Sequence, residues 1–168
     1  MRKILFVLFM VLGTSTVYAQ GLTQFQALYI YNFAKNIGWP EIDNSKDLVV
    51  TIISNTALSG ELKKLSQTRK IGNRTVIVKD AATLADVAKS DIIYLDASKA
   101  GQIGQLVNSQ KGNRVLIVSD KGGHCANGAG ISFVTEGEKL KYEISKANIE
   151  KCGLDVSSQL LQLGKSVD

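Results

Sequence analysis

Leu48-Val49-Val50-Thr51-Ile52-Ile53 is a six-residue run of aliphatic and β-branched side chains broken only by one threonine. A strand with one wet face alternates apolar and polar residues. An unbroken run is what a strand buried on both faces of a parallel sheet shows. The pattern recurs downstream in Arg74-Thr75-Val76-Ile77-Val78, Asp91-Ile92-Ile93-Tyr94-Leu95 and Arg114-Val115-Leu116-Ile117-Val118. Helical patterns separate these runs over 57–66, over 83–88 with Thr83 in the N-cap region, and more weakly over 101–108. Strands alternating with helices predict a single α/β domain, with a mostly parallel sheet flanked by helices on both faces.

Either side of this centre the pattern changes. Ile131-Ser132-Phe133-Val134, a turn at Glu136-Gly137-Glu138, and Leu140-Lys141-Tyr142-Glu143-Ile144 read as a C-terminal β-hairpin with one wet face. Closing helices are expected over 147–151 and 156–164. Upstream, Gly21 to Asn36 carries two apolar sets at helical spacing, Leu22, Phe25, Leu28, Tyr29, Phe33 and Ala34 in the first and Ala27, Ile30, Tyr31 and Ile37 in the second. Such a helix is either well covered or open to a partner. Gly38-Trp39-Pro40 ends it, since proline disfavours helix in the residue before it.

The first 19 residues read as an export signal: Arg2-Lys3, the apolar core Ile4 to Leu12, and a small-residue end closing on Ala19. Cleavage is expected between Ala19 and Gln20, leaving residues 20–168 as one soluble domain in an oxidising space. The apolar core is too short for a bilayer span. Losing Arg2 and Lys3 lowers the formal charge of +5 by two and weakens any case for nucleic acid. The basic residues Lys63, Lys64, Arg69, Lys70 and Arg74 have no interleaved aromatics, and the lysines of 139–151 alternate with glutamates. Mixed signs of this kind mark a solvated surface.

Chemistry-bearing residues are few. Two cysteines and one histidine give no all-protein metal cage and no motif for a cofactor. Ser54 to Gly60 could hold an anion at a helix N-terminus, but it lacks the glycine spacing of nucleotide loops, and capping is the plainer use. His124-Cys125 could form an activated thiol, although neighbours in an extended loop point apart. Cys125 and Cys152 could form a disulfide in an oxidising compartment or remain two thiols. Ser54, Asn55, Asp80, Asp96 and Asp120 fall at the strand C-terminal ends, where α/β sheets carry ligands and where acids also cap helices.

Two stretches resemble the YfiR family of exported bacterial regulators. One is Leu28-Tyr29-Ile30-Tyr31-Asn32-Phe33-Ala34-Lys35 with Trp39-Pro40. The other runs from Arg114 to Asp120, through Gly130-Ile131-Ser132-Phe133 and Leu140 to Ile144, to Gly153-Leu154-Asp155-Val156-Ser157-Ser158-Gln159-Leu160-Leu161-Gln162-Leu163. The resemblance implies a non-catalytic periplasmic protein without a cofactor, acting in cyclic-di-GMP signalling and biofilm formation. It would bind and inhibit the periplasmic part of a membrane sensor protein, a diguanylate cyclase or a kinase. An outer-membrane lipoprotein and a second copy of the chain are further partners it implies. A partner surface is expected at the exposed parts of the first helix and its terminal turn, including Tyr31, Trp39 and Pro40, with Phe25, Tyr29 and Phe33 expected in the core. Three positions depart from the family pattern: Ala129 stands for a usual Met, Gly164 for a usual Ala, and Ser132 falls about where better-known members carry a second cysteine. The alternative readings are a small-ligand sensor near Asp96, Asp120 and His124, and an exported thiol enzyme.

Overall fold

The computed structural model describes residues 14–40 and 46–167. The helix α1 spans Thr14–Asn36, so the expected cut between Ala19 and Gln20 falls within its first two turns, and most of the expected signal lies outside the described residues. The central strands are β2 (Leu48–Ile53), β3 (Val76–Ala81), β4 (Ile92–Leu95), β5 (Leu116–Ser119), β6 (Ile131–Glu136) and β7 (Lys139–Ile144). With β9 (Lys165–Ser166) they form one seven-stranded sheet in the order β3-β2-β4-β5-β6-β7-β9. From β3 to β6 the pairing is parallel, β6 and β7 form the antiparallel hairpin, and β9 adds to β7 in parallel. The expected architecture is therefore present.

Alternation along the strands separates two apolar layers. Leu48, Val50 and Ile52 of β2, Ile92 and Tyr94 of β4, Leu116 and Val118 of β5, and Phe133 and Tyr142 of the hairpin face α1 and α2 (Thr56–Thr68). Ile53, Ile93, Leu95 and Ile117 face α3 (Ile103–Ser109), with Leu84 and Val87 packed beside them. Burial on both faces explains the unbroken apolar runs of the sequence. Over the hairpin the second face is partly open, and Lys139 and Lys141 point to solvent as the alternation predicts.

Two elements differ from the sequence expectation. The helix expected over 83–88 is only a 3₁₀ turn, Leu84–Asp86. Asp86 accepts hydrogen bonds from the Thr83 backbone N–H at 2.9 Å and the Thr83 hydroxyl at 2.8 Å, while Val87 returns to extended backbone. The local cap thus closes one turn and the chain leaves for β4. The strand expected from Arg74 starts at Val76, because Arg74 turns inward. Its guanidinium donates to the carbonyls of Lys46 and Asp47 and to the Asp91 carboxylate, and lies 5.8 Å from the centre of the Trp39 ring.

The end of α1 is tied to the C-terminal region. β1 (Ile37–Gly38) pairs with β8 (Asp155–Val156), and the Ser157 N–H and hydroxyl both donate to Asn36. After α4 (Lys146–Lys151), α5 (Ser158–Leu163) closes this end, and the buried Tyr142 hydroxyl donates to the Leu160 carbonyl at 2.8 Å. The Tyr-Asn-Phe-Ala-Lys and Gly-Leu-x-x-Ser-Ser stretches, far apart in sequence, therefore meet in the fold.

Candidate functional site

The helix α1 carries no charged side chain from Gln20 to Ala34. Its inner side buries Ala27, Ile30, Phe33 and Ala34. Tyr29 and Phe33 stack on the hairpin: ring centres lie 5.0 Å apart for Phe33 and Tyr142, 5.6 Å for Tyr29 and Tyr142, and 5.7 Å for Phe33 and Phe133. Aromatic contacts of this kind add to the area they bury, at about 0.5–1.5 kcal/mol per pair. They fix the rotation of α1 on the sheet, and that rotation decides which of its apolar residues remain outside.

Phe25 is 60% exposed, Leu28 39%, and Leu163 at the end of α5 63%. Leu22, Phe25, Tyr29, Leu140 and Leu163 line an open groove of about 730 Å³ between the N-terminal part of α1 and β7. Glu138, Lys139 and Lys141 stand on its hairpin side. The α1 wall is uncharged. An exposed apolar patch with a polar rim is the usual mark of an interaction surface.

The expected partner residues lie elsewhere. Tyr31 is 7% exposed and Trp39 9%, so both belong to the core and neither offers a surface. Burial drives this: Tyr31 packs into the first apolar layer, where loss of water pushes its hydroxyl up to about 12, and Arg74 covers the Trp39 ring. Pro40 is exposed, and its carbonyl accepts from Arg114 at 2.9 Å. Phe33 is in the core as expected, Tyr29 is half-buried, and Phe25 is not in the core.

Beneath the helix lies a polar cluster that sequence reasoning did not assemble. Gln26, 4% exposed, donates to Asp120 Oδ1 at 2.6 Å, and its amide lies 3.4 Å from the Tyr94 hydroxyl. Burial raises the Asp120 carboxyl to about 6, with the Asp96 charge adding to the rise, while hydrogen bonds from Tyr94 and Gln26 oppose it. Burial also pushes the Tyr94 hydroxyl up, so it stays neutral. A glutamine at the position four before Ile30 and seven before Phe33, on the buried helix face, was the available signal.

The other strand-end residues serve the fold. Asn55 caps α2, accepting from the Leu58 N–H at 3.0 Å, and donates to Asp96 at 2.9 Å. Asp96 accepts from the Ser98 N–H, and Asp80 pairs with Lys63. His124 Nδ1 lies 2.7 Å from the hydroxyl of Ser119, a residue sealed from solvent, and burial holds the imidazole below its ordinary pKa.

Cys125 and Cys152 stand as two separate thiols, so the bridge weighed from sequence is not formed. Cys125 Sγ is 3.5 Å from Ser132 Oγ and 3.8 Å from the Gly130 carbonyl. Cys152 ends α4 and packs against the first apolar layer, where burial pushes its thiol up. Ser119 and Ser132 are register partners on β5 and β6. Cys125 thus sits with His124 over the other face of the sheet. No group of three metal-ligating side chains occurs among the described residues. No helix among them is long and apolar enough to cross a membrane.

Fold and surface define an α/β domain with a covered parallel sheet and an uncovered apolar groove along its N-terminal helix. The chain belongs to the YfiR/HmsC-like family, whose model matches residues 23–165. Its fold is similar to that of a conserved domain protein from Vibrio cholerae O1 biovar El Tor str. N16961, known from a crystal structure. The TM-score is 0.59 at 14% identity, covering 87% of this chain and 60% of that one. The chain thus spans less than two thirds of that protein's length, and the likeness is one of fold. Curated proteins give no match.

Proposed function

We propose that this chain is a non-catalytic periplasmic regulator that binds the periplasmic part of a membrane signalling protein, a diguanylate cyclase or a kinase, and holds it inactive. Family membership supports the class of function. The observation that carries the binding reading is the groove lined by Phe25 and Leu163, exposed large apolar side chains beside an uncharged helix face on which Leu28 is exposed as well. An aromatic side chain such as Phe25, seated in a partner's pocket, is the kind of group that dominates interface energies. A regulatory rather than catalytic reading is also supported by the Ser119–His124 pair, whose hydroxyl no substrate can reach.

The test compares the exported chain with Phe25→Asp/Leu163→Asp. Both substituted side chains are exposed, so thermal stability is expected to change little. The wild-type chain is expected to co-purify from membranes with a cyclase or kinase, and its deletion to raise cyclic-di-GMP. The double variant is expected to lose co-purification and behave as the deletion. Unchanged cyclic-di-GMP on deletion refutes the regulatory reading; full co-purification by the double variant refutes the surface.

A further inference from the structure

The contact between Gln26 and Asp120 joins two distant parts of the chain: the N-terminal half of α1 and the C-terminal end of β5. The same helix turn that points Gln26 inward points Phe25 outward into the groove. The seat of Gln26 therefore sets the position of one groove wall.

The groups facing the Asp120 carboxyl are Gln26 from α1, Tyr94 from β4 and Asp96 from the segment after β4. Asp96 is held in turn by Asn55 from the start of α2 and by the Ser98 N–H. No cation is among these groups. Of the nearby titratable groups in the following loop, His124 is engaged with Ser119, and the Lys121 charge acts on His124. Asp120 is thus a partly buried carboxyl facing one amide, one neutral phenol and a second carboxyl. Withdrawing α1 would open this corner to water.

We propose that Asp120 is a proton-operated latch for the N-terminal half of α1: protonation seats the helix on the C-terminal edge of the sheet, and ionisation loosens it. The sign follows from linkage. The seated state holds the Asp120 proton up to about pH 6, whereas a solvated aspartate loses it near its ordinary value of 3.8. The state with the higher affinity for the proton is favoured as pH falls. Between 3.8 and about 6 the opening constant rises toward about tenfold per pH unit, the limit for one proton, and above about 6 it levels off. A space in contact with the outside medium would pass such changes directly to the groove. The latch does not depend on the partner's identity, so failure of the docking reading leaves it standing.

Amide hydrogen exchange on the exported chain alone, between pH 3.5 and pH 8 and corrected for intrinsic rates, tests this. In the wild type, protection around Gln26 to Tyr31 is expected to fall as pH rises from about 3.8 and to level off above about 6, while the central strands stay protected. Asp120→Asn is expected to abolish the pH dependence, and His124→Gln to retain it. Gln26→Met removes a donor that favours the charged carboxyl, so it is expected to move the levelling-off point upward. A flat profile in the wild type overturns the latch. So does the same pH dependence in Asp120→Asn, its loss in His124→Gln, or an unmoved levelling-off point in Gln26→Met.

Discussion

Replacing Ser132 by cysteine is expected to create a disulfide that the present chain lacks. Cys125 Sγ already lies 3.5 Å from Ser132 Oγ, and both residues are buried. The position of Cys125 is held from both sides. Gly123 and Gly128, with φ of +81° and +99°, bound the 3₁₀ turn His124–Asn127, and Asn148 Nδ2 donates to the Cys125 carbonyl at 2.7 Å. Ser132 is fixed in register against Ser119. A cysteine side chain at 132 would therefore meet Cys125 without moving backbone, and Cys152, on the other apolar layer, would stay out of the bridge. Closing a loop of about eight residues stabilises by roughly 2.5 kcal/mol on the chain-entropy model. For a domain of this size that is roughly 5–10 °C in Tm. Titration of thiols under denaturing conditions gives the direct readout: two in the wild type, one in oxidised Ser132→Cys, with the added Tm lost on reduction. Three titratable thiols after oxidation, or a peptide map joining either 125 or 132 to 152, would refute the placement of the 3₁₀ turn over β6.

Three further outcomes follow from the packing and charge distribution. Gly164→Ala restores the residue that the family resemblance suggests, yet an added Cβ would stand 2.3 Å from Tyr142 Cε2 and 3.0 Å from Ile144 Cγ2; it is expected to cost about 1–3 kcal/mol, read as a lower denaturant midpoint. Arg74→Met leaves the Asp91 carboxylate without its buried partner and is expected to cost about 3–5 kcal/mol, part of which Arg74→Met/Asp91→Asn recovers in a double-mutant cycle. Relative to Asp120→Asn, wild-type stability should rise as pH falls from 7 toward 4. The penalty of ionising Asp120 is fully present above about pH 6 and relieved on the way to 3.8, a gain of about 2 kcal/mol after allowing for its partial exposure. His124, held neutral by burial, contributes with the opposite sign below its ordinary pKa, which is why the comparison variant matters. An Asp120→Asn curve parallel to the wild type over this range would refute the assignment.

The sheet was legible because double-sided burial writes an uninterrupted apolar run into β2, β4 and β5, and a one-sided hairpin writes alternation into β7. Spacing says less about a helix that is apolar on most of its circumference. Both apolar sets of α1 satisfy helical periodicity, yet the buried side draws on both, Phe33 from the first and Ala27, Ile30 and Tyr31 from the second, in a rotation fixed by the rings of Phe133 and Tyr142 about a hundred residues away. Tyr31 and Trp39 consequently looked available and are buried, while Phe25 looked buried and is exposed. The groove is no better encoded locally, since its second wall comes from Leu140 and Leu163, which the sequence places in a hairpin and a closing helix of their own.

The same logic governs the polar positions. Asp96 meets the expectation that strand-end acids cap the element that follows, whereas Asp80 pairs with Lys63 instead. Asp120 has the same sequence context, yet its partner Gln26 lies on the opposite end of the chain, and only the seat of α1 turns it into a buried carboxyl. A local cap would leave Asp120 strongly acidic and indifferent to physiological pH. Burial under a helix that must also present Phe25 does the reverse, because ionising the carboxyl and exposing the groove wall then draw on one conformational equilibrium. The surface and the titrating group are coupled by their common place on a single helical turn.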